Sequence, residues 1–578
     1  MSFKVSEVFQ PKVLEIFKKG NYNKEMFTAD LIAGIIVGIV ALPLAIAFGI
    51  ASGVTPQQGL ITAVIAGFLV SMFGGSHFLI GGPTGAFIVI VYGIVAQYGM
   101  SGLIIATVLA GVMLVLMGIF KLGSIIKFIP YPIVVGFTSG IATVIFSTQM
   151  KDFFGLQIEK VPSEFVPQWG TYLSNLNSIN IYETLLSLGC ILIIIFWPRV
   201  TRKIPGSLIA IILGTTAALF LSQFAGIEFA TIGSKFPELA NGIDIPSPQV
   251  PNIDWETATK LFQPAFTIAL LCAIESLLAA MVADGVTGKK HNSNTELIGQ
   301  GIANIVVPFF GGIPATGAIA RTMTNINNGG RTPVTGIVHA FVLLLIFLFL
   351  MPYAVYIPLS CLAAILIIVA YNMSEWRTFK YLLKGDKTDI SVLLITYFLT
   401  VIIDLTVAIE IGLVLAIILF VKRVSESSSI TVLTGETLPG TENEELAQLS
   451  NIEHIDVPIG VEIYEIDGPF FFGLASKLDE IDRDLGKKNI KVRVIRMRKV
   501  PFMDSTGLNN LRSLWKRSKK EGVNLILSGV NEKVLQYLTK AGFANEIGEE
   551  YIFPHIIPAL AKATEMIDAL NKANTKNK

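Results

Sequence analysis

The chain has 578 residues, of which 52% are hydrophobic and only 15% are charged, and its formal net charge is +1. Soluble globular proteins carry about 25% charged residues, so this composition predicts a membrane protein. The balanced charge, with no basic stripe interleaved with aromatic residues, argues against a nucleic-acid-binding protein.

The three cysteines, Cys190, Cys272 and Cys361, lie in apolar segments without a CxxC or Cys/His spacing. We therefore expect core or lipid-facing side chains, and neither disulfides nor metal ligands. Residues 1–27 have mixed charge and no signal-peptide pattern, so the first apolar segment is expected to act as its own insertion signal. The lack of a Walker motif argues against an ATP-driven pump.

Apolar segments long enough to cross a bilayer, roughly 17–25 residues each, recur from residue 29 to residue 422. We count fourteen, several of them short or rich in glycine: 29–52, 57–73, 79–98, 101–120, 126–149, 181–197, 206–224, 262–283, 296–311, 315–328, 335–353, 358–372, 388–403 and 405–421. Seven precede the long loop near 225–261 and seven follow it. A repeat with an odd number of spans places its second copy upside down, so the pattern predicts a 7+7 inverted repeat.

The basic residues of the short connections fall on one side of this fourteen-span plan, and the long loops of the other side are richer in acids. The basic connections contain Lys121, Arg199, Arg202, Lys203, Lys289, Lys290, Arg331, Arg377, Lys380, Lys384, Lys387, Lys422 and Arg423. By the positive-inside rule, we expect the N-terminus and the C-terminal region on the cytoplasmic side.

Two matched breaks, GGPTGA at 81–86 and GGIPATGA at 311–318, open the third span of each half. Paired breaks of this kind predict a transporter whose substrate lies between two half-helix N-termini at mid-membrane. Free N–H groups and the positive ends of helix dipoles there favour an anion. The alternative is that the small residues only allow close helix packing. The expected anion contacts are Thr84, Gly85, Ala86, Thr316, Gly317 and Ala318.

The composition changes after residue 422, where a stretch rich in Ser, Thr and Glu is followed by an α/β pattern. The pattern predicts strands at 461–466, 492–497 and 523–527, and helices at 475–485, 507–519, 532–541 and 556–570. We divide the chain into an N-terminal segment (1–27), a transporter domain (28–424), a linker (425–458), an α/β domain (459–572) and a polar tail (573–578).

Four motifs resemble the SulP (sulfate permease) family of anion transporters, which is related to animal prestin and pendrin. They are DLIAG with ALPLAIAF (30–34, 41–48), GPTGA (82–86), ADG with HNSNTELIGQG (283–285, 291–301), and MDSTGL (503–508), which is similar to the hallmark turn of STAS domains. The resemblance covers nearly the whole chain. It implies an α-helical polytopic membrane protein of 14 spans, with core and gate domains and a C-terminal α/β STAS domain.

The resemblance further implies that spans 3 and 10 are discontinuous and that the anion lies between their N-termini. It implies transport by an elevator-like or rocking movement of the core domain past the gate domain, and relatives are often homodimers. Phe48 and Leu44 would face the cavity by this resemblance, although some relatives carry Gln at the position of Leu44. A packing role is the alternative for Phe48.

Glu275 lies deep inside a predicted span, where an ionisable side chain costs roughly 2.5–3.5 kcal/mol and marks a functional site. The alternative is a tilted helix that brings it near an interface, which is what we expect for Glu410. Relatives carry an acid at the Glu275 position beside the anion, where it would bind H⁺ or Na⁺. Relatives thought to use Na⁺ have a hydroxyl one turn later, where this chain has Ala279. We therefore favour protonation of Glu275 over Na⁺ coordination.

Arg321 follows the second break, and the resemblance places a basic residue of animal relatives here beside the anion. A guanidinium could hold an oxyanion bidentately. The alternatives are a topology anchor at the end of its span or an ion-pair partner of Glu275. In the STAS turn, resemblance to soluble STAS proteins makes Ser505 or Thr506 the expected phosphorylation position, against a role in capping the following helix.

We expect a transporter and not an enzyme: a secondary active, H⁺-coupled symporter of a small oxyanion in the bacterial cytoplasmic (inner) membrane. Sulfate is the first expectation, with bicarbonate and C4-dicarboxylates as alternatives, and no cofactor is expected beyond H⁺ or Na⁺ as the coupling ion. The alternative mechanisms are a passive anion channel or uniporter and a Na⁺-coupled bicarbonate symporter. The STAS domain would serve as a regulatory module with a cytoplasmic binding partner. Nucleobase transporters share the 7+7 plan but normally lack a STAS domain.

Overall fold

The computed structural model describes residues 9–18, 22–124, 130–162, 164–201, 204–241, 255–403, 405–434, 457–471 and 490–576. These residues belong to two compact units, 1–416 and 417–578.

The first unit is built mainly of helices, with two very short strands, β1 (Gly81–Gly82) and β2 (Thr316–Gly317). Its helices are α1 (Lys12–Lys18), α2 (Lys24–Ala51), α3 (Pro56–Phe73), α4 (Ile88–Ile119), α5 (Tyr131–Thr148), α6 (Met150–Phe154), α7 (Phe165–Ser174), α8 (Ile181–Phe196), α9 (Gly206–Ala225), α10 (Ile232–Lys235), α11 (Trp255–Lys260), α12 (Phe262–Thr287), α13 (Ser293–Val306), α14 (Ile319–Asn327), α15 (Val334–Leu350), α16 (Leu359–Met373), α17 (Trp376–Leu382), α18 (Lys387–Ile402) and α19 (Leu405–Ser427), the last of which continues into the second unit.

Each of the fourteen predicted spans coincides with a helix in the described residues. The third and fourth spans are joined in α4, where Gly99 has φ 67° and interrupts the helix. Positions 126–129, the start of the fifth predicted span, lie outside the described residues. Within the described part of the chain, nine helices are long and apolar enough to cross a membrane by length and composition. The weakest predictions correspond to α13 and α14, which are only 14 and 9 residues long.

Local polar groups fix where several helices begin. At the start of α3, Pro56 occupies the first turn, the Gln58 N–H donates to the Thr55 hydroxyl, and the Thr55 N–H donates to the Gln58 side chain. This reciprocal pair satisfies two of the N–H groups that a helix start leaves free. Asn292 serves α13 in the same way, because its side-chain oxygen accepts from the first N–H groups of that helix.

Glycines allow the closest helix contacts of the first unit. A Cβ atom on Gly34 of α2 would lie 2.6 Å from the Cβ of Val338 on α15, so no larger residue fits there. Gly111 of α4 and Gly301 of α13 face each other, and a Cβ on either would lie within 2.8 Å of the other's carbonyl oxygen. The helices of the two halves are therefore packed directly on each other.

Asp30 of α2 is fully buried and ties α2 to the start of α15. Its Oδ1 accepts hydrogen bonds from the N–H groups of Arg331 (2.7 Å) and Thr332 (3.1 Å) and from the Thr335 hydroxyl (2.9 Å). Its Oδ2 accepts from the hydroxyls of Thr332 and Tyr22. Burial and then the Asp30 carboxylate raise the pKa of the Tyr22 hydroxyl to about 12, so Tyr22 stays a donor. These bonds explain why an Asp begins the DLIAG motif.

The second unit contains a five-stranded sheet of order β3-β4-β5-β6-β7, in which β3 pairs antiparallel with β4 and the other pairs are parallel. Alternate residues of β4 face two separate apolar clusters, one of which includes residues of α20 to α22 and the other residues of α23. The elements are β3 (Ser429–Thr434), β4 (Val461–Asp467), β5 (Val492–Lys499), α20 (Ser505–Lys520), β6 (Asn524–Ser528), α21 (Glu532–Lys540), α22 (Phe543–Ile547), β7 (Ile552–Phe553) and α23 (Ile556–Lys576).

The predicted α/β pattern is confirmed at three strands and three helices, and it needs two corrections. The first ten residues assigned to the linker, 425–434, are the end of α19 and strand β3. Ile430 and Val432 of β3 alternate with polar residues and pack against an apolar cluster that includes residues of β4. This alternation is too short to be recognised as a strand beside the polar sequence that follows it. Helix α23 ends at Lys576, so it extends into the segment that we assigned to the polar tail. The predicted helix at 475–485 lies outside the described residues.

Replacement of Asp30 tests this account of how the first unit is held together. Asp30→Ala leaves buried N–H and hydroxyl donors without an acceptor, each costing about 1–3 kcal/mol. We expect a clear fall in the thermal unfolding temperature of the detergent-purified protein. The matched control is Glu25→Ala, because Glu25 makes an exposed ion pair with Arg331 and such pairs contribute about 0–1 kcal/mol. Equal unfolding temperatures for the two variants would contradict the role given to Asp30.

Candidate functional site

The two sequence breaks meet in space. Strand β1 pairs antiparallel with β2, with Gly81 opposite Gly317 and Gly82 opposite Thr316. The Ala318 N–H extends the pairing by donating to the Ile80 carbonyl at 3.0 Å. Each strand leads into a helix start, a 3₁₀ turn at Gly85–Phe87 followed by α4 after β1, and α14 after β2. The predicted break residues are thus brought together, and the first N–H groups of a helix have no acceptor within it.

Glu275 of α12 is joined to the first break. The Thr84 hydroxyl donates to Glu275 Oε2 at 2.9 Å, and Thr84 precedes the 3₁₀ turn with an extended backbone (φ −128°, ψ 160°). The predicted coupling residue and a predicted anion contact therefore share one hydrogen bond. Ala279, one turn after Glu275, is fully buried.

The second break is hydrogen-bonded to residues of helices α3, α12 and α13. The Thr316 hydroxyl donates to the Cys272 carbonyl at 3.0 Å. The Asn304 side chain of α13 binds both backbone groups of Ala315, accepting from its N–H at 2.9 Å and donating to its carbonyl at 2.8 Å. The Ile313 N–H donates to the Thr62 hydroxyl at 2.8 Å. Side-chain partners thus replace the helical hydrogen bonds that the break removes.

Arg321 of α14 lies against the first break. Its Nη2 donates to the Pro83 carbonyl at 3.0 Å. Arg321 is only 1% exposed, and its Nη1 has no hydrogen-bond partner among the described residues. A Cβ on Gly82, which has φ 154°, would lie 2.0 Å from that Nη1. The burial does not fit an exposed topology anchor, and the ion pairs of the described residues include none between Arg321 and Glu275.

The remaining predicted contacts, Phe48 and Gly85, lie in the packed interior of the first unit. Phe48 is 5% exposed and belongs to the same apolar cluster as Ala86 and Phe87. A Cβ on Gly85 would lie 2.9 Å from Met373 Sδ of α16, so Gly85 approaches the other helices of the unit. A cavity of about 1020 Å³ extends from Ile88, just after the first break, to polar side chains of α6 and α7.

Helix α13 carries a row of buried polar residues that was not predicted from the sequence. Glu296, Gln300 and Asn304 are all fully buried and lie four residues apart on one helix face. Gln300 Nε2 donates to Glu296 Oε1 at 2.8 Å, and the Gly75 N–H donates to Glu296 Oε2 at 2.8 Å. The spacing of four was a usable signal, because polar side chains one helical turn apart share a face.

The other predicted residues have clear positions. Ser505 and Thr506 are exposed in the first turn of α20, whose start is capped by Asp504 through a 2.7 Å bond from the Gly507 N–H. The three cysteines are buried and free. The sulfurs of Cys190 and Cys361 are 3.4 Å apart. Glu410 is exposed.

Residues 27–396 match the Sulfate permease family, and residues 454–563 match the STAS domain. The chain belongs to the sulfate permease family. It is therefore a multi-pass membrane protein of an anion transporter family, with a helical transporter core and a C-terminal STAS domain, as the motifs predicted.

Individual members of the sulfate permease family resemble the chain over most of its length. The putative sulfate transporter YvdB of Bacillus subtilis (strain 168) is 42% identical to this chain, and the aligned region covers 92% of this chain and 97% of YvdB. The bicarbonate transporter BicA of Picosynechococcus sp. (strain ATCC 27264 / PCC 7002 / PR-6) is 32% identical over 82% of this chain and 84% of its own. The structure of the murine anion transporter Slc26a9 in the inward-facing state superimposes with a TM-score of 0.83 at 18% identity, and the matched region covers 97% of this chain and 94% of the Slc26a9 chain. This last likeness shows the fold.

Replacement of Gly82 tests the geometry of the site. Gly82→Ala would place a methyl group against Arg321 Nη1, in a backbone conformation that costs a non-glycine residue about 1–3 kcal/mol. We expect a lower unfolding temperature and loss of the stabilisation that a bound anion gives. Gly93→Ala on α4 is the matched control, because nothing lies within 4 Å of its Cβ position. A Gly82→Ala protein as stable and as responsive to anions as Gly93→Ala would show that the close approach is not needed.

Proposed function

We propose that this sulfate permease family member is a secondary active transporter that carries a small oxyanion across the bacterial cytoplasmic membrane together with H⁺. The observation that carries the proposal is the hydrogen bond between Thr84, at the first half-helix start, and the half-buried Glu275. It links an anion-binding position directly to an acid that can take up a proton.

The anion would lie between the starts of α4 and α14, beside the paired strands β1 and β2. Helix N-termini provide N–H donors and a positive dipole end. Arg321 adds a permanent positive charge and a free Nη1 donor at the same place. Thr84, Gly85, Ala86, Thr316, Gly317 and Ala318 would supply the small surface that lets an oxyanion reach the backbone, with Phe48 as part of the apolar wall.

Coupling would work through the Thr84 hydroxyl, which has one proton to donate. While Glu275 is ionised, the Thr84 hydroxyl donates its one hydrogen bond to the Glu275 carboxylate. Protonation of Glu275 removes the negative charge that repels an incoming anion and frees the Thr84 hydroxyl to donate to it. Anion and proton would therefore bind together, and the loaded core would cross by an elevator-like movement. Na⁺ is less suited to this position because Ala279 offers no oxygen ligand.

The donors of the proposed site support an oxyanion as substrate, and the names of relatives supply candidates. A site of N–H donors and one guanidinium accepts sulfate, bicarbonate or a C4-dicarboxylate. YvdB is named a putative sulfate transporter and BicA a bicarbonate transporter. We place sulfate first, because the relative with that name has the higher identity. Na⁺-coupled bicarbonate symport is the second candidate, and it rests on the similarity to BicA.

The assembly is part of the same proposal. We expect a homodimer in the lipid bilayer with the N-terminus and the STAS domain in the cytoplasm. The STAS domain would bind a regulatory protein, and the exposed Ser505 and Thr506 are the positions for phosphorylation at a helix start.

Transport by Glu275→Gln tests the coupling. Proteoliposomes are given an inward H⁺ gradient, or a Na⁺ gradient at fixed pH, with labelled sulfate, bicarbonate or fumarate outside. We expect the wild type to accumulate one of these anions under the H⁺ gradient. Glu275→Gln should accumulate less anion than the wild type, because its side chain does not take up a proton, but should still exchange anion.

The control for this experiment is Glu410→Gln, which removes an exposed carboxylate of α19 and should accumulate the anion like the wild type. Accumulation by Glu275→Gln equal to the wild type would overturn the role of Glu275. Accumulation driven by Na⁺ at fixed pH would favour the second candidate. Equilibration without accumulation would identify a channel or uniporter.

Arg321→Lys tests the anion contact. Lysine keeps the positive charge but not the planar pair of donors, so the contacts to Pro83 and to the anion cannot both be kept. A hydrogen bond to a charged group contributes about 1.5–3 kcal/mol, so we expect the anion to bind roughly 10- to 100-fold more weakly in a titration of the purified protein. Unchanged affinity would show that Arg321 does not touch the anion.

A further inference from the structure

Three helices of the first unit present buried polar side chains to one another behind the first break. Asn325 lies one helical turn after Arg321 on α14, and His339 lies one turn after Thr335 on α15. Ser71 of α3 faces the same region, because a Cβ on Gly336 of α15 would lie 1.9 Å from its Oγ. Side chains one turn apart share a helix face, so α14 and α15 each carry a polar stripe.

Most of these side chains are incompletely hydrogen-bonded. Ser71, Arg321, Asn325 and His339 are each at most 3% exposed. Ser71 Oγ, Arg321 Nη1, Asn325 Oδ1 and both ring nitrogens of His339 have no hydrogen-bond partner among the described residues. The Gly336 backbone lies near the His339 ring, but neither ring nitrogen makes a well-formed hydrogen bond to it. Buried polar atoms in proteins are satisfied by protein groups or by internal water, and unpaired ones in a cluster indicate a water site.

Glycines lie beside these polar atoms and allow the close approach. A Cβ on Gly330 would lie 1.7 Å from Asn325 Oδ1, and one on Gly67 of α3 would lie 3.1 Å from the His339 ring. The same Gly67 position is 3.5 Å from the Gly81 carbonyl, so the ring lies close to strand β1.

The polar stripes connect the Asp30 hydrogen bonds with the candidate anion site. At one end, the Thr335 hydroxyl donates to Asp30 at 2.9 Å, near the first residues of α2. At the other end, Arg321 donates to Pro83 in the first break. The stripes therefore run from the Asp30 end of the helices to the candidate anion site.

The charges around His339 are few. Arg321 of α14 is the charged group that acts on the ring. Helix α3 has no ionisable side chain, α15 has none besides His339, and the facing acid of α2 is Asp30, at the Thr335 end. His339 is therefore the one histidine between Asp30 and Arg321 within the described residues of these helices, and histidine is the side chain whose ordinary pKa lies closest to neutral.

We propose that Ser71, Asn325, Arg321 and His339 line a buried, water-filled path from Asp30 to the first break, and that His339 takes up a proton through it when an anion binds beside Arg321. The inference rests on the proposed function for its anion, and it adds a second proton-binding residue to Glu275. An unoccupied site leaves the Arg321 charge uncompensated, which opposes a second positive charge on His339. A bound anion compensates Arg321 and so removes the repulsion of a second positive charge. Water in the path lowers the cost of burying that charge, so each anion carries one more proton on His339.

The test has two parts, both on the full chain. High-resolution electron cryomicroscopy of the purified protein should show ordered water within hydrogen-bonding distance of His339 and Arg321 Nη1. A dry contact between α3, α14 and α15 would overturn the path. This part does not depend on transport, so it decides the hydration even if the proposed function fails.

The second part counts protons in proteoliposomes with the membrane potential clamped at zero and an imposed gradient of about one pH unit. One proton fewer per anion lowers the final accumulation ratio about tenfold under these conditions. We expect that loss for His339→Gln, and also for His339→Asn, with sulfate, bicarbonate or fumarate, whichever the wild type accumulates. His555→Gln, which removes an exposed histidine of the second unit, is the matched control and should keep the wild-type ratio.

The outcomes separate the two proposals. A wild-type ratio in folded His339→Gln or His339→Asn, with accumulation lowered in Glu275→Gln, overturns the role of His339 and leaves the proposed function intact. No H⁺-driven accumulation by the wild type overturns the proposed function and, with it, proton uptake by His339.

Discussion

The antiparallel pairing of Gly81–Gly82 with Thr316–Gly317 is the contact on which the transporter unit depends. Each strand is a break in an apolar helix, and each leaves backbone groups that lipid cannot satisfy. The two strands hydrogen-bond each other across the two halves of the chain. Asn304 and Thr62 bind further backbone groups of the second break. The same pairing brings the starts of two helices together, and this is where we propose that the anion binds.

Two charged residues near this pairing, Arg321 and Glu275, have different surroundings and therefore different proposed roles. Arg321 is buried against Pro83 with one donor free, which suits a ligand of opposite charge. Glu275 is separated from it by Thr84, whose hydroxyl bonds the carboxylate. An acid so close to an anion site cannot stay ionised while the anion binds without strong repulsion. The proposed coupling to H⁺ is the simplest way for this arrangement to hold both.

Much of this was visible in the sequence. Fourteen apolar segments, the matched breaks and the placement of Glu275 inside an apolar helix were all predicted, because segment length, glycine and proline placement and a charge within an apolar run are local signals. The family motifs gave the STAS domain. The sequence did not show that Arg321 reaches Pro83 or that Asp30 caps α15, since these contacts join residues more than two hundred positions apart. The polar face of α13 was missed because it lies in a short segment judged by its apolar content.

The most direct test of the account is the affinity of the purified protein for its transported anion, measured as a function of pH at constant Na⁺ and corrected for the anion's own ionisation. If proton and anion bind together, linkage requires each to strengthen the other by the same factor. The account predicts that the anion binds more tightly as the pH falls, and that Glu275→Gln weakens this dependence. An affinity that does not change with pH, or one that rises with Na⁺ at constant pH, would contradict it.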